Sequence, residues 1–337
     1  MSRKLFFPAL LALSVLLGAC ASPAASPTAT VAPTPVPPTA TTAPIVEPTT
    51  APTVEPALEP ITLTDSLGRA VTLAAPAQRI ISLAASNTEI VFALGAGGQL
   101  VGRDEYSDYP PEALNVQSIG SLYPKVNPEV ILALKPDLVL AGGITNPDDV
   151  KALADLGLTV YAAHNAVTLD DIYTDILAIG QLTGQMAQAE KLVADMQGRV
   201  QAVIDRTAGI TDKPKVFYEI DATDPAKPWT AGSGSFIDQL LTLAGGANVG
   251  AAVKDQYAQI SLEELVAQDP AIIVLGSYTF GGQTPELVKA RVGWDKIAAV
   301  KNDKTYTFDD NLVSRPGPRV VDGLEALARL IHPELFP

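Results

Sequence analysis

Val126–Gly142 reads VNPEVILALKPDLVLAG and Ile260–Gly276 reads ISLEELVAQDPAIIVLG, so one pattern occurs twice without a gap. Each copy opens on a helix N-cap, Asn127 or Ser261, with a glutamate two residues later, Glu129 or Glu263. An N-cap side chain accepts hydrogen bonds from first-turn amides, and a proline cannot continue a helix; Pro136 and Pro270 therefore close about two turns in each copy. The apolar runs that follow, Leu138–Leu140 and Ile272–Leu275, read as strands buried on both faces of a parallel sheet. The duplication predicts two related α/β lobes, each with a helix that starts at an exposed carboxylate.

Outward from this pair, the 337 residues are 47% hydrophobic, enough for two sizeable cores. The first twenty belong to neither. Arg3 and Lys4 precede an apolar run, Leu5–Leu17, too short to span a membrane, and Leu17-Gly18-Ala19-Cys20 closes it. The chain's one cysteine falls at that cleavage position, which resembles a bacterial lipobox and predicts lipidation of Cys20. Residues 21–60 are rich in Ala, Pro and Thr and carry three acids but no Lys or Arg. Such a segment favours extended, unpacked chain and reads as a stalk reaching ~120 Å if fully drawn out. Removing the leader's two bases and the stalk's three acids leaves 21 basic and 34 acidic residues, a formal charge of −13. Polyanion binding needs the opposite sign, so nucleic acid is excluded as a partner.

In order, Ile61–Leu73 reads as a hairpin turning at Asp65–Gly68, and Arg79–Leu83 as a core strand. Ser86-Asn87-Thr88-Glu89 has the form of a capping box, opening a helix that ends at Gly95. The loop before it, Ala84–Ser86, falls at the carboxyl edge of the sheet, where open α/β folds bind ligands. Two further loops bring Tyr106, Tyr109 and Tyr123 to the same edge. From Thr168 to about Ala208 a helical apolar period runs without proline, with a kink or break allowed at Gly180–Gly184. Its later twenty-odd residues would form a rigid strut of ~30 Å between the lobes. The divisions expected are therefore 1–20 leader, 21–60 stalk, 61–167 N-terminal lobe, 168–208 inter-lobe helix and 209–337 C-terminal lobe.

The fragments RIISLAASNTEIVFALGAGGQLVG, YSDYPPEA, VNPEVILALKPDLVLAG, GSGSFIDQLLTLAGGANV and ISLEELVAQDP resemble the class III substrate-binding proteins of ABC importers for metal chelates. The resemblance runs from about Ile61 to the C-terminus and lies nearest the cobalamin receptors, with haem and ferric-siderophore receptors in the same group. It implies two three-layer α/β lobes joined by a single long rigid helix, with a monomer binding its chelate between them. Glu129 and Glu263 match the glutamates that pair with arginines of the permease, which works with an ATPase. At a helix start, a carboxylate also complements the dipole by ~0.3–1 kcal/mol, so position alone leaves both roles open. Tyr106, Tyr123 and Tyr257 match cleft aromatics, the last two lying six residues before Glu129 and Glu263. Those receptors commonly have tryptophan at the last two positions. Arg315 matches a cleft-facing position in the loop before the last helix. With Ser86 of the edge loop, these form the expected ligand set. The protein would be held on the outer face of the cell membrane by the lipid on Cys20.

Catalysis needs a base or nucleophile with a partner, and the chain has two histidines and no G-x-S-x-G, P-loop or H-E-x-x-H motif. No enzymatic activity, cofactor or resident metal is expected; Asp170-Asp171 and Asp309-Asp310 read as solvated or helix-capping. A haem ligated by a cleft tyrosine, a ferric siderophore, and a sensing or scaffolding lipoprotein are the remaining alternatives.

Overall fold

The computed structural model describes residues 59–336; the leader, Cys20 and the stalk up to residue 58 lie outside the described residues. Strands β1 (Ile61–Thr64) and β2 (Ala70–Leu73) pair antiparallel as the expected hairpin. Asp65 braces their turn, accepting from the Leu67 and Arg69 amides and from the Arg69 guanidinium.

The N-terminal sheet contains β3 (Ile80–Ser82), β4 (Leu100–Arg103), β5 (Leu138–Ala141) and β6 (Val160–Ala162), all parallel in the order β4-β3-β5-β6. Its helices are α1 (Ala85–Ala93), α2 (Pro128–Ala133) and α3 (Pro147–Asp155). One sheet face packs Ile80, Leu138 and Leu140 against Ile90 and Val91 of α1; the other packs Ile81 and Val139 against Ile131 of α2 and Val150 of α3. Each side chain so buried contributes ~1.5–3 kcal/mol.

The expected inter-lobe stretch forms two helices, α4 (Leu169–Thr183) and α5 (Met186–Thr207). Thr168 and Asp171 close a reciprocal capping box at the start of α4. Gly184 ends it in the left-handed conformation (φ 74°) that a glycine adopts without strain. The strut is therefore α5 alone, ~33 Å long at ~1.5 Å per residue. Arg199 of α5 pairs with Asp322 and Glu325, and the Thr207 hydroxyl donates to the Leu243 carbonyl at its far end.

The C-terminal sheet contains β7 (Lys215–Asp221), β8 (Trp229–Ala231), β9 (Ala247–Asn248), β10 (Tyr257–Gln259), β11 (Ile272–Leu275) and β12 (Thr305–Thr307). Its order is β10-β8-β7-β11-β12, with β9 beside β7. β7, β11 and β12 are parallel, whereas β8 runs antiparallel to both neighbours, so this sheet is mixed. Its helices are α6 (Phe236–Leu243), α7 (Leu262–Gln268), α8 (Ser277–Gly281), α9 (Pro285–Lys289), α10 (Ala298–Lys301), α11 (Asn311–Ser314) and α12 (Val320–Ile331). Val216, Tyr218 and Val274 pack towards Leu240, Leu324 and Leu327, while Phe217, Ile273 and Leu275 pack towards Leu265, Val288 and Trp294. Each lobe is thus three layers. One apolar cluster runs through both, from Ile80 and Leu138 by way of Ile176, Met196 and Val200 to Tyr218 and Leu324.

The repeated stretch shares more than its pattern. Asn127 accepts from the Glu129 amide and Ser261 from the Glu264 amide. Both helices then end on a non-glycine residue at φ 48°, Lys135 and Asp269, immediately before the prolines. Gly142 and Gly276 end both strands where a Cβ would collide with Ala84 and with the Tyr218 ring.

Inside the C-terminal lobe, Glu219 and Arg291 form an ion pair with side chains 0% and 5% exposed, and Glu219 also accepts from Ser277. The Arg291 guanidinium lies 4.4 Å from the Trp294 ring centroid. Breaking a buried pair from one side strands the other charge. Glu219→Ala should therefore lower stability by ~3–5 kcal/mol in urea titrations, whereas Glu219→Leu combined with Arg291→Met should recover most of the loss. A single-variant loss below about 1 kcal/mol, the range of ordinary surface substitutions, would show that the pair is not needed.

Candidate functional site

Helix α1 and the loop after β4 of the first lobe meet the segment just ahead of α12 in the second. The contact is ionic. Glu89 of α1 receives Arg319 Nε at 2.8 Å and Nη2 at 2.6 Å, joining residues 230 apart in sequence. Arg315 Nη1 lies 2.5 Å from Asp108 and 3.6 Å from Glu89. The Arg319 guanidinium stacks 3.9 Å from the Tyr109 ring centroid. Burial works to raise the Asp108 carboxyl, but the hydrogen bond and charge of Arg315 outweigh it and hold the group below its ordinary value. The Glu89 hydrogen bond holds Arg319 above its own, against the effect of burial.

This corrects the expectation of a capping box at Ser86–Glu89. α1 begins at Ala85, its N-cap is Ala84, and no side chain caps it. Glu89 thus lies in the helix's second turn, where its carboxylate is taken by the arginine of the other lobe. Ser86 is half-buried at the same junction, beside Gly317.

The loop after β4 is braced from below. Buried Asp104 accepts from the Tyr106 amide at 3.0 Å and from the Ser107 hydroxyl, and Thr88 Oγ1 donates to Ser107 at 2.8 Å. Burial raises the Asp104 carboxyl in spite of these bonds and of Arg315. The expectation that Asp310 is solvated or helix-capping is also corrected. Asp310 is 9% exposed, caps no helix with its side chain, and accepts the Tyr218 hydroxyl at 2.7 Å. Burial and the charge of Asp310 together raise the phenol of Tyr257.

The expected ligand tyrosines are open to solvent: Tyr106 62%, Tyr123 87% and Tyr257 48%. Four other aromatics among the described residues are comparably exposed: Tyr109, Trp229, Tyr278 and Phe280. The first follows β4, Trp229 follows the loop after β7, and the last two sit on α8 directly after β11. The sequence contains these residues in plain view, but on α8 it is Ser277 that turns inward to Glu219 and Thr279 that bonds to Phe308 and Asp310, leaving Tyr278 and Phe280 exposed. Arg315 is tied to the junction directly, the Tyr106 amide donates to Asp104, and the charge of Asp310 acts on the Tyr257 phenol. Tyr123, Glu129 and Glu263 have no side-chain partner in this network, and both glutamates are exposed in their first helical turns.

Among the described residues no three His, Cys, Asp or Glu side chains are placed to hold a metal ion, and no helix is long and apolar enough to cross a membrane. A surface depression of about 490 Å³ lined by Asp212–Lys215, Ala267–Asp269 and Ala271 lies at the start of β7.

Residues 80–312 match the periplasmic binding protein family, and the chain belongs to it. An uncharacterised ABC transporter substrate-binding lipoprotein of Bacillus subtilis is 34% identical over 282 residues, covering 82% of this chain and 87% of that one. A vitamin B12-binding protein of Vibrio cholerae is 33% identical over 253 residues, covering 74% and 87%. The solved structure of a periplasmic haem-binding protein from Roseiflexus matches with a TM-score of 0.68 at 26% identity, over 77% of this chain and 99% of that one.

Burial raises Asp310 above the usual 3.8, against the Tyr218 hydrogen bond and the charge of Arg315. A carboxyl raised by folding keeps its proton after the unfolded chain has lost it. The stability it contributes is full below pH 3.8 and is lost as pH climbs through its folded value. Asp104 and Asp175 are raised by burial too and act with the same sign. Asp310→Asn should remove one group's share of the stability that is lost between acid pH and neutrality, so that the variant's urea midpoint shifts upward relative to wild type as pH rises; an unaltered difference across that range would show that Asp310 titrates alike in both states.

Proposed function

We propose that this periplasmic binding protein captures a metal chelate, first of all cobalamin or another corrinoid, between the facing sheet edges and hands it to an ABC importer permease and its ATPase. One observation carries the reading: every exposed aromatic among the described residues lies on a loop, strand start or short helix at the sheet ends, three from the first lobe and four from the second. Flat aromatic walls give a large planar ligand contact area at small entropic cost, and a few polar groups set its orientation. The vitamin B12-binding relative supports a corrinoid as that ligand. A second reading, haem, is favoured by the haem-binding neighbour and by the exposed phenols, any of which offers iron an oxygen. A ferric siderophore belongs to the same importer class.

In this reading Tyr106, Tyr123, Tyr257, Ser86 and Arg315 touch the ligand, and Glu129 and Glu263 meet arginines of the permease. In this reading the chain is divided as its sequence suggests: leader 1–20, stalk 21–60, lobes 61–167 and 209–337, and the connecting stretch 168–208. The protein works as a monomer outside the cytoplasm, tethered by a lipid on Cys20; the lipoprotein relative is in keeping with that anchor. It uses no cofactor and performs no catalysis. A scaffolding lipoprotein would have no need of two open carboxylates at matched positions.

Tyr123→Ala and Tyr257→Ala should each weaken chelate binding by ~1–3 kcal/mol, as truncating a buried aromatic contact does. Superimposable titration curves for both variants would remove them from the site. Glu129→Ala with Glu263→Ala should leave chelate affinity intact and abolish transport or binding to permease in nanodiscs; loss of affinity instead would assign the two glutamates to the cleft.

A further inference from the structure

Four ionised side chains meet where the lobes touch, and their charges cancel. Arg319 spends Nε and Nη2 on the two Glu89 oxygens, and Tyr109 covers its face. Arg315, with its side chain 11% exposed, is held by Asp108 at 2.5 Å and lies 3.6 Å from Glu89. The charge of Arg315 is also felt by Asp104 and Asp310, and that of Asp309 by Arg319. A ligand anion arriving here must displace a paired carboxylate and then lie among further acids, whereas an uncharged chelate meets a junction already neutralised. Like-charge juxtaposition is a general means of turning away a wrong partner.

The two carboxylates do different work. Glu89, with its side chain 2% exposed, is buried between the lobes and positions Arg319. Asp108, with its side chain 56% exposed, holds Arg315 from the solvent-accessible end of the pair, so an incoming anionic group would compete with it. We propose that Asp108 is a specificity-determining residue: by occupying Arg315 it makes the cleft select a large chelate without net charge over one bearing free carboxylates or other anionic groups. This rests on the chelate-capture reading and sharpens it, since cyanocobalamin has no net charge whereas haem carries two ionised propionates and many ferric siderophores are anions.

The test compares equilibrium dialysis of cyanocobalamin, haem and an anionic ferric siderophore against the wild-type protein, Asp108→Asn and Asp108→Glu, with thermal melts to confirm folding. Wild type should hold cyanocobalamin at least about tenfold tighter than either anion, the scale on which charge placement alters partner choice. Asp108→Asn should shrink that ratio about tenfold, again on that scale, and Asp108→Glu should restore it. Tighter retention of an anion by wild type, or an Asp108→Asn effect equal on all three ligands, would overturn the charge selection and leave capture standing. Retention of none of them by any of the proteins would overturn both.

Discussion

The pairing of Glu89 with Arg319 is the constraint on which the space between the lobes depends. A carboxylate removed from water must find its full complement of donors on the spot, because an isolated buried charge is far costlier than the pair. Neither lobe can supply that complement alone. The first offers Glu89 and Asp108, the second Arg315 and Arg319, and Tyr109 covers the face of Arg319. Behind the ions, the apolar cluster running through α4 and α5 fixes the lobes from the other side. The two sheet ends are therefore held at a set spacing from the front by charge and from the back by packing.

Much of this was legible because it is local. The duplicated stretch announces cap, helix, stop and buried strand within its own length, and both copies fold that way, each adding a left-handed residue before its proline. What the sequence misplaced involves partners far away along the chain. Glu89 satisfies a local capping pattern, yet its carboxylate goes to an arginine 230 residues on. Asp310 sits in an acidic pair that reads as solvated, and only the return of β7 brings Tyr218 beneath it.

The candidate site divides in the same way. Tyr106, Tyr123, Tyr257 and Arg315 were visible through spacing and resemblance, as were Glu129 and Glu263. Tyr278 and Phe280 could not be distinguished from core residues until Ser277 and Thr279 were seen to take the inward positions of α8. Asp108 lies inside a recognised motif, but its meaning depends on what opposes it. Residue type alone could not say that the two junction arginines are already engaged.

The junction is completed by residues just ahead of α12, the last helix of the chain. A ribosome releases the first lobe, with its sheet and three exposed tyrosines, long before Arg315 and Arg319 emerge. Contacts so distant in sequence carry a large loop-closure cost and form late. The N-terminal lobe must therefore spend much of synthesis with Glu89 unanswered and its aromatic edge uncovered. Capacity to hold a ligand at this junction would then be acquired late, only once Arg315 and Arg319 are in place.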